Sequence, residues 1–381
     1  MSDVVIVGAG PAGSATALQL ARSGVAVTIL ERQHFPRTKV CGEYLSIAAL
    51  HAVHDLGLEH CLADGYPIAG IALAAFGSEP LRLRLPENGA LALARSVLDD
   101  RLLREATAAG ARLCRGGYMR NEPENGKMRV VYRDETGAIA SCSARVLIGA
   151  DGAASSVAIR NGLATKQRRG GRWAVGGHFV QQAPSDELEM YVGPGGYFAR
   201  NPLTRDSVNA MLVLPQPALP EQTDDIVASI TRGRRGFDER KLVRRVAVGP
   251  LRYSPAALMR ASIILTGDAA GLLDPFTGQG VACALRMSFA TARAAVASLA
   301  GQPAERIARA YHKEWRAIVA PRKALSFLVD TMIRSPFLRA RAERAARRDA
   351  NFAEKMLAAV CGAASPSTAF SPGLLLRLLA S

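Results

Sequence analysis

Residues 4–31, VVIVGAGPAGSATALQLARSGVAVTILE, constrain the fold more than any other stretch of the chain. Val4–Val7 is a β-branched apolar run of the length of a buried parallel strand, and Gly8, Gly10 and Gly13 follow it as G-x-G-x-x-G. Residues 12–21 carry the apolar 3.6-residue period of a helix, Gly24 closes it, and residues 25–30 read as a second buried strand ending on Glu31. Gly8 permits the tight turn, Gly10 lets backbone approach a pyrophosphate, and Gly13 lets helix and strand pack closely. The helix amino end presents N–H groups and the positive end of its dipole to phosphate. Glu31, 18 residues beyond Gly13, is placed to accept hydrogen bonds from an adenosine ribose and to repel a 2′-phosphate. The pattern predicts a site for FAD or NAD.

A chain of 381 residues exceeds one ordinary core, so two joined domains and a terminal appendage are expected. The net charge of +15 is uneven: residues 305–348 hold twelve Lys or Arg against four Asp or Glu. Such a stretch can attract an anionic membrane or an acidic carrier protein, or be simply a solvated face; no nucleic-acid partner is expected. The six cysteines are scattered, with no C-x-x-C, which suits a reducing cytosol and offers neither a zinc site nor a disulfide framework. No apolar run reaches the roughly 18 residues of a membrane span. The expectation is a cytoplasmic protein, peripheral at a membrane at most.

Along the chain, residues 46–56 and 95–109 read as helices, and residues 71–93 as hairpin strands with turns at 78–80 and 86–89. Residues 145–148 form a buried strand running into Gly149-Ala150-Asp151-Gly152. Residues 173–248 break into strand-like pieces separated by Gly and Pro and predict an antiparallel sheet. A strand at 262–265 opens on Gly267-Asp268 and on Asp274-Pro275-Phe276-Thr277-Gly278-Gln279-Gly280, before a long helix at 280–299. The rest is helical, with breaks expected at Pro303, Pro321 and Pro336. The fold class is α/β: a Rossmann-type domain (1–75, 95–165 and 250–300), an inserted antiparallel β substrate domain (76–94 and 166–249), and a helical C-terminal region (301–381). A pocket is expected at the seam.

The two later motifs lie at strand ends, where open α/β sheets present ligands. Asp268 can accept hydrogen bonds from a polyol, and the loop through Gly278 to Gly280 offers N–H donors to an anionic ring edge. A dinucleotide, a polyol and an electron-rich ring together specify noncovalent FAD.

The first glycine motif with its acid, the central DG and the distal GD resemble the flavin-dependent monooxygenases of the p-hydroxybenzoate hydroxylase fold. Within that superfamily, Val40-Cys41-Gly42-Glu43 and residues 274–280 are most similar to the geranylgeranyl reductase branch, a likeness covering about residues 1–300. It implies FAD contacts at Gly8, Gly10, Ala12, Gly13, Glu31, Arg32, Cys41, Gly42, Tyr44, Arg95, Met119, Asp268, Gly278, Gly280 and Val281, with Asp151 supporting flavin and nicotinamide. Two departures stand out. Trp173 and Trp315 are the only tryptophans, so the halogenase motif W-x-W-x-I-P is absent. The reductase motif Y-x-W-x-F-P has become Tyr197-Phe198-Ala199-Arg200-Asn201-Pro202.

No second G-x-G-x-x-G exists, because Gly193, Gly195 and Gly196 lack a following helix, so NADPH or NADH is expected as a transient electron donor. Cys41, His178 and Pro275 are candidate catalytic residues: a thiol beside the flavin, a base suited to neutral pH, and the loop over which substrate enters. Tyr191, Tyr197 and Tyr253 are pocket candidates. His51, His54 and His60 lack metal-site spacing and read as surface residues. Phe327, Leu328, Met332, Ile333 and Phe337 read as helix core or pocket lid rather than a membrane anchor. The expected activity is monooxygenation of an aromatic or lipophilic small molecule through a flavin C4a-hydroperoxide. The alternatives are reduction of isoprenoid double bonds and a flavoprotein docking a carrier protein or membrane through its basic tail.

Overall fold

The computed structural model describes residues 2–75, 79–87, 89–165, 171–180, 185–193, 196–215, 242–251 and 253–380. Ser78, Gly195 and residues 216–241 of the expected β region lie outside them. The first sheet is built on Val4–Val7, which pairs in parallel with Val27–Glu31 on one side and Val146–Gly149 on the other. Its strand order is Ile139–Ala144, Lys127–Asp134, Arg112–Glu124, Val27–Glu31, Val4–Val7, Val146–Gly149, Ile263–Leu265, Met259–Arg260. All four residues of Val4–Val7 are buried, as a central strand covered on both faces requires.

Nine helices of the described residues are labelled in chain order: α1 (Pro11–Arg22), α2 (Ile47–Asp55), α3 (Arg95–Ala108), α4 (Ser156–Arg160), α5 (Gly280–Leu299), α6 (Ala304–Arg334), α7 (Pro336–Arg348), α8 (Ala350–Cys361) and α9 (Pro372–Ala380). Helix α1 packs against both α3 and α5. Its Gly10 N-cap and Pro11 at the first position set the entry, since proline supplies a helical φ where no N–H is needed. None of the helices among the described residues is long and apolar enough to cross a membrane.

The second sheet runs Leu242–Val248, Arg172–Val180, Ser207–Pro215, Gly196–Thr204, Glu187–Gly193, Gly70–Ala75, Leu81–Arg84. Gly70–Ala75, expected with the nucleotide-binding part, pairs here instead, parallel to Glu187–Gly193 and in a hairpin with Leu81–Arg84. A short apolar run fits a strand of either sheet, and the hairpin decides. Met190, Tyr197, Met211 and Val213 of this sheet share one core with Leu325, Val329, Ile333 and Leu357 of α6 and α8. The C-terminal helices therefore complete the second core.

Two readings of the tail are corrected. Pro321 lies inside α6, which continues through it. Arg322 Nη1 donates to the Ile318 carbonyl at 2.6 Å, and buried Val319 and Leu325 hold the turns on either side. Met332 and Ile333 face inward as expected, but Phe327 and Phe337 are 73% and 62% exposed.

Candidate active site

One continuous cavity of about 910 Å³ lies between the two sheets and is closed by the C-terminal helices. It is lined by Gly8, Gly10, Ala12, Glu31, Arg32, Cys41, Gly42, Tyr44, Arg95, Asp151, Asp268, Pro275, Gly278, Gly280 and Val281, which the chain contributes from five separated stretches. Three other candidate residues stand elsewhere. Gly13 lies behind the wall, Met119 marks a bulge one residue past the lining stretch Gly116–Tyr118, and His178 does not reach the cavity.

At the nucleotide end, bare backbone makes the room. A Cβ on Gly13 would sit 1.9 Å from the Gly8 carbonyl oxygen, and one on Gly8, whose φ is +103°, 2.5 Å from that of Ala150. Glu31 is pinned by backbone, accepting from the Ala9 N–H at 2.9 Å and the Gln33 N–H at 2.8 Å, which leaves further lone pairs for a ribose. Beside Gly10, Arg37 pairs with Asp99 at 3.4 Å, while its Nε is buried without a hydrogen-bond partner. A buried, under-partnered guanidinium next to a glycine turn and a helix amino end fits a pyrophosphate.

The residues around Cys41 are bolted to the second sheet. Glu43, buried and at φ +56°, accepts from the Arg95 N–H at 2.9 Å, from Asn209 Nδ2 at 2.7 Å and meets His178 Nε2 at 2.6 Å. Asn209 Nδ2 also donates to the Cys41 carbonyl at 2.7 Å, and Asn201 Nδ2 to that of Gly42 at 3.0 Å. This network holds a non-glycine residue in the left-handed region, a conformation that persists only when its surroundings over-determine it. His178 reaches Glu43 from the second sheet and does not line the cavity. Asn201, one of the departures from the aromatic reductase motif, is a loop anchor.

Arg95 grips Asp99 through two bonds of 2.7 and 2.8 Å. Desolvation raises the Asp268 carboxyl above its ordinary value against the pull of Lys39 and Arg95. Asp151 caps α4, accepting from the Ser156 and Val157 N–H groups at 2.7 and 3.3 Å, and desolvation raises its carboxyl too. Its part in the site is to shape the loop through Ala150 and Gly152.

Because the folded Asp268 carboxyl titrates higher than a free aspartate, its contribution to stability is fullest below the unfolded value and is lost as pH rises through the folded one. Asp268→Asn is therefore expected to raise the melting temperature of the apoprotein at neutral pH. The same change should weaken FAD by roughly ten-fold, a charged acceptor being exchanged for a neutral one. Calorimetry of apoprotein and fluorescence titration with FAD check the two halves.

Beyond Gly278–Val281 the cavity turns apolar. Leu73, Leu83, Leu188, Met190, Val192, Met211 and Val213 of the sheet face Val329, Met332, Ile333, Met356 and Leu357 of the tail. A Cβ on Gly278 would lie 2.7 Å from the Tyr44 ring, so the glycine lets loop and ring close together. Gln279 Nε2 donates to the Val360 carbonyl at 2.7 Å, tying α8 to the start of α5. Tyr197 packs edge-on against Phe276 with ring centroids 4.9 Å apart, and Arg172 reaches Asp274 at 3.4 Å and pairs with Asp330. Of the other tyrosines, Tyr253 lines the cavity, its hydroxyl pushed up to about 12 by burial and then by Asp151. Tyr191 stacks on Phe198 in a separate core. His51, His54 and His60 stand at the surface, each against one glutamate.

Arg37, Lys39, Asp99, Asn209 and the part of the wall from α8 escape a reading of motifs, while Met332 and Ile333 of α6 are legible as core or lid. Only the charge run R-T-K at 37–39 beside the CGE triplet hints at them. The donor set as a whole fits FAD. Glu31 would meet the ribose end, Arg37 and the α1 amino end the diphosphate, Asp268 the polyol and the α5 amino end the ring.

A family model described as FAD binding domain matches residues 1–324. The menaquinone reductase of Mycobacterium tuberculosis is 32% identical over 310 residues, covering 74% of this chain and 73% of that protein. The geranylgeranyl diphosphate reductase of Rhodobacter capsulatus is 31% identical over 329 residues, covering 81% and 79%. Among solved structures, a geranylgeranyl bacteriochlorophyll reductase-like protein of Thermoplasma acidophilum superposes with a TM-score of 0.78 at 20% identity, covering 100% of this chain and 96% of that one.

Proposed function

This chain belongs to the FAD binding domain family, as an FAD-dependent oxidoreductase related to the geranylgeranyl reductases, and from that premise we propose that it reduces a double bond in a long lipophilic substrate. The observation that carries the proposal is the apolar limb, which leads away from the ring-binding loop between the second sheet and the tail helices. FAD, when bound, supplies the hydride. The rest falls to the chain. Glu31, Arg37, Asp268 and the α1 amino end hold the cofactor, while Cys41, Gly42 and Gly280 would bed its ring. Leu188, Met190, Met211, Val329 and Met356 hold an aliphatic chain and exclude water, which keeps the reacting carbons in a medium of low polarity. NADPH or NADH would supply the electrons to the flavin, with Asp151 supporting its binding. Cys41, beside buried Arg95, would hold or pass a proton.

A second reading, hydroxylation of an aromatic ring, draws on the Tyr197–Phe276 pair, against which a ring can stack. One experiment separates them. Holoprotein reduced by NADPH or NADH without oxygen is expected to be reoxidised by a polyisoprenoid alcohol, giving a product two hydrogens heavier with one isoprene double bond saturated. Turnover that requires oxygen and yields a hydroxylated product would overturn reduction in favour of the second reading.

A further inference from the structure

Helix α7 has two contrasting faces. Arg339, Ala342, Glu343 and Ala346 line the cavity from α7. The stripe Phe337, Arg341, Arg344 and Arg348, spaced four, three and four residues, points the other way. Phe337 is 62% exposed, and the Arg341 guanidinium lies 5.1 Å over its ring. Arg341 also donates to the backbone carbonyls of Leu378 and Leu379, so α9 is fastened alongside. Helix α9 in turn shows Leu376 and Leu379, 66% and 60% exposed. Arg341 thus joins the exposed Phe337 ring to the end of α9, on a helix with five arginines and a single acid.

We propose that this face of α7 and α9 docks on an anionic lipid bilayer and that a lipophilic substrate passes between membrane and cavity beneath α7. Two features select a bilayer. The charge complements an anionic leaflet, where each basic residue near the surface contributes attraction and Phe or Leu side chains enter the headgroup boundary. The helix that carries the patch also lines the cavity, so a docked surface lies one helix thickness from it. An acidic protein would be served by the arginines but leaves Phe337, Leu376 and Leu379 without a reason. The inference rests on the lipophilic-substrate reading.

The test uses the full-length holoprotein and vesicles without substrate. It is expected to sediment with phosphatidylserine-containing vesicles and far less with pure phosphatidylcholine. Arg344→Glu with Arg348→Glu should cut partitioning by roughly 25-fold or more, at about five-fold per arginine. Phe337→Ser with Leu376→Ser and Leu379→Ser should cut it comparably at high salt, where charge is screened. Flavin absorbance and melting temperature, unchanged in both variants, report that the fold is intact. Absence of sedimentation by the native chain, or equal sedimentation of all variants, overturns the proposal. So does a dimer in solution that the serine variant dissociates, or capture of an acidic carrier domain without vesicle binding. Each of these leaves reduction of a detergent-dispersed substrate intact, whereas failure of the lipophilic-substrate reading removes that turnover and leaves sedimentation in place.

Discussion

Gly13→Ala is expected to yield a chain that purifies without flavin. The new Cβ would lie 1.9 Å from the Gly8 carbonyl oxygen and 3.2 Å from the Ala150 side chain, so α1 must move off the strand end. Overpacking of rigid backbone costs about 3 kcal/mol at the upper end, which corresponds to roughly a hundred-fold loss of FAD affinity if it falls on the binding-competent state. Gly24→Ala, later in the same unit, is the control. Nothing lies within 4 Å of its Cβ, so only the strain of φ +76° remains, about 1 kcal/mol, and flavin should be retained. Visible absorbance of the purified variants, with titration of each apoprotein by FAD, reads the difference. Equal flavin content in the two would contradict the assignment of α1 as the phosphate-binding helix.

Glu43→Ala is the second large effect. It removes the acceptor shared by the Arg95 N–H, Asn209 and His178, and leaves three donors in a region where Glu43 itself is buried. The Arg95 N–H and the Asn209 amide are buried while His178 is about one third exposed, so at about 1 to 3 kcal/mol for each buried donor left unpartnered a loss of at least about 2 kcal/mol is expected. The release of the Cys41–Gly42 loop should appear as low flavin occupancy and slow reduction. His178→Ala keeps two of Glu43's partners and should cost only about 1 kcal/mol, with a modest fall in rate. A His178→Ala variant as damaged as Glu43→Ala, yet with normal flavin content, would return His178 to the role of a base acting on substrate.

The two variants also divide what the sequence discloses from what it conceals. Gly13 is legible because a strand, a turn and a helix amino end are neighbours along the chain, and the steric need for glycine is written at fixed spacing. Glu43 is visible as one letter of a motif, but its partners are not. His178 and Asn209 lie 135 and 166 residues away, on strands whose alternating pattern says only that one face is inward. Asn201 reads as a defect in an aromatic motif until its amide is seen on the Gly42 carbonyl. Pro321 misleads for a related reason. A proline breaks an isolated helix, but α6 is held by burial of Val319 and Leu325 against elements far along the chain.

The sequence by itself determined the dinucleotide half of this protein: parallel strand, glycine turn, helix and ribose-binding acid, with the later aspartate and ring-bearing helix at strand ends. Those features follow from short-range spacing, since the backbone geometry that cradles phosphate is completed within about thirty residues. Tertiary structure alone decided the other half. It brought the second sheet and helices α6 to α8 around one apolar limb, clamped the Cys41 loop with side chains from distant strands, and turned Phe337 outward. Burial depends on which surfaces meet, and an amphipathic stripe states that a face will be covered without saying by what.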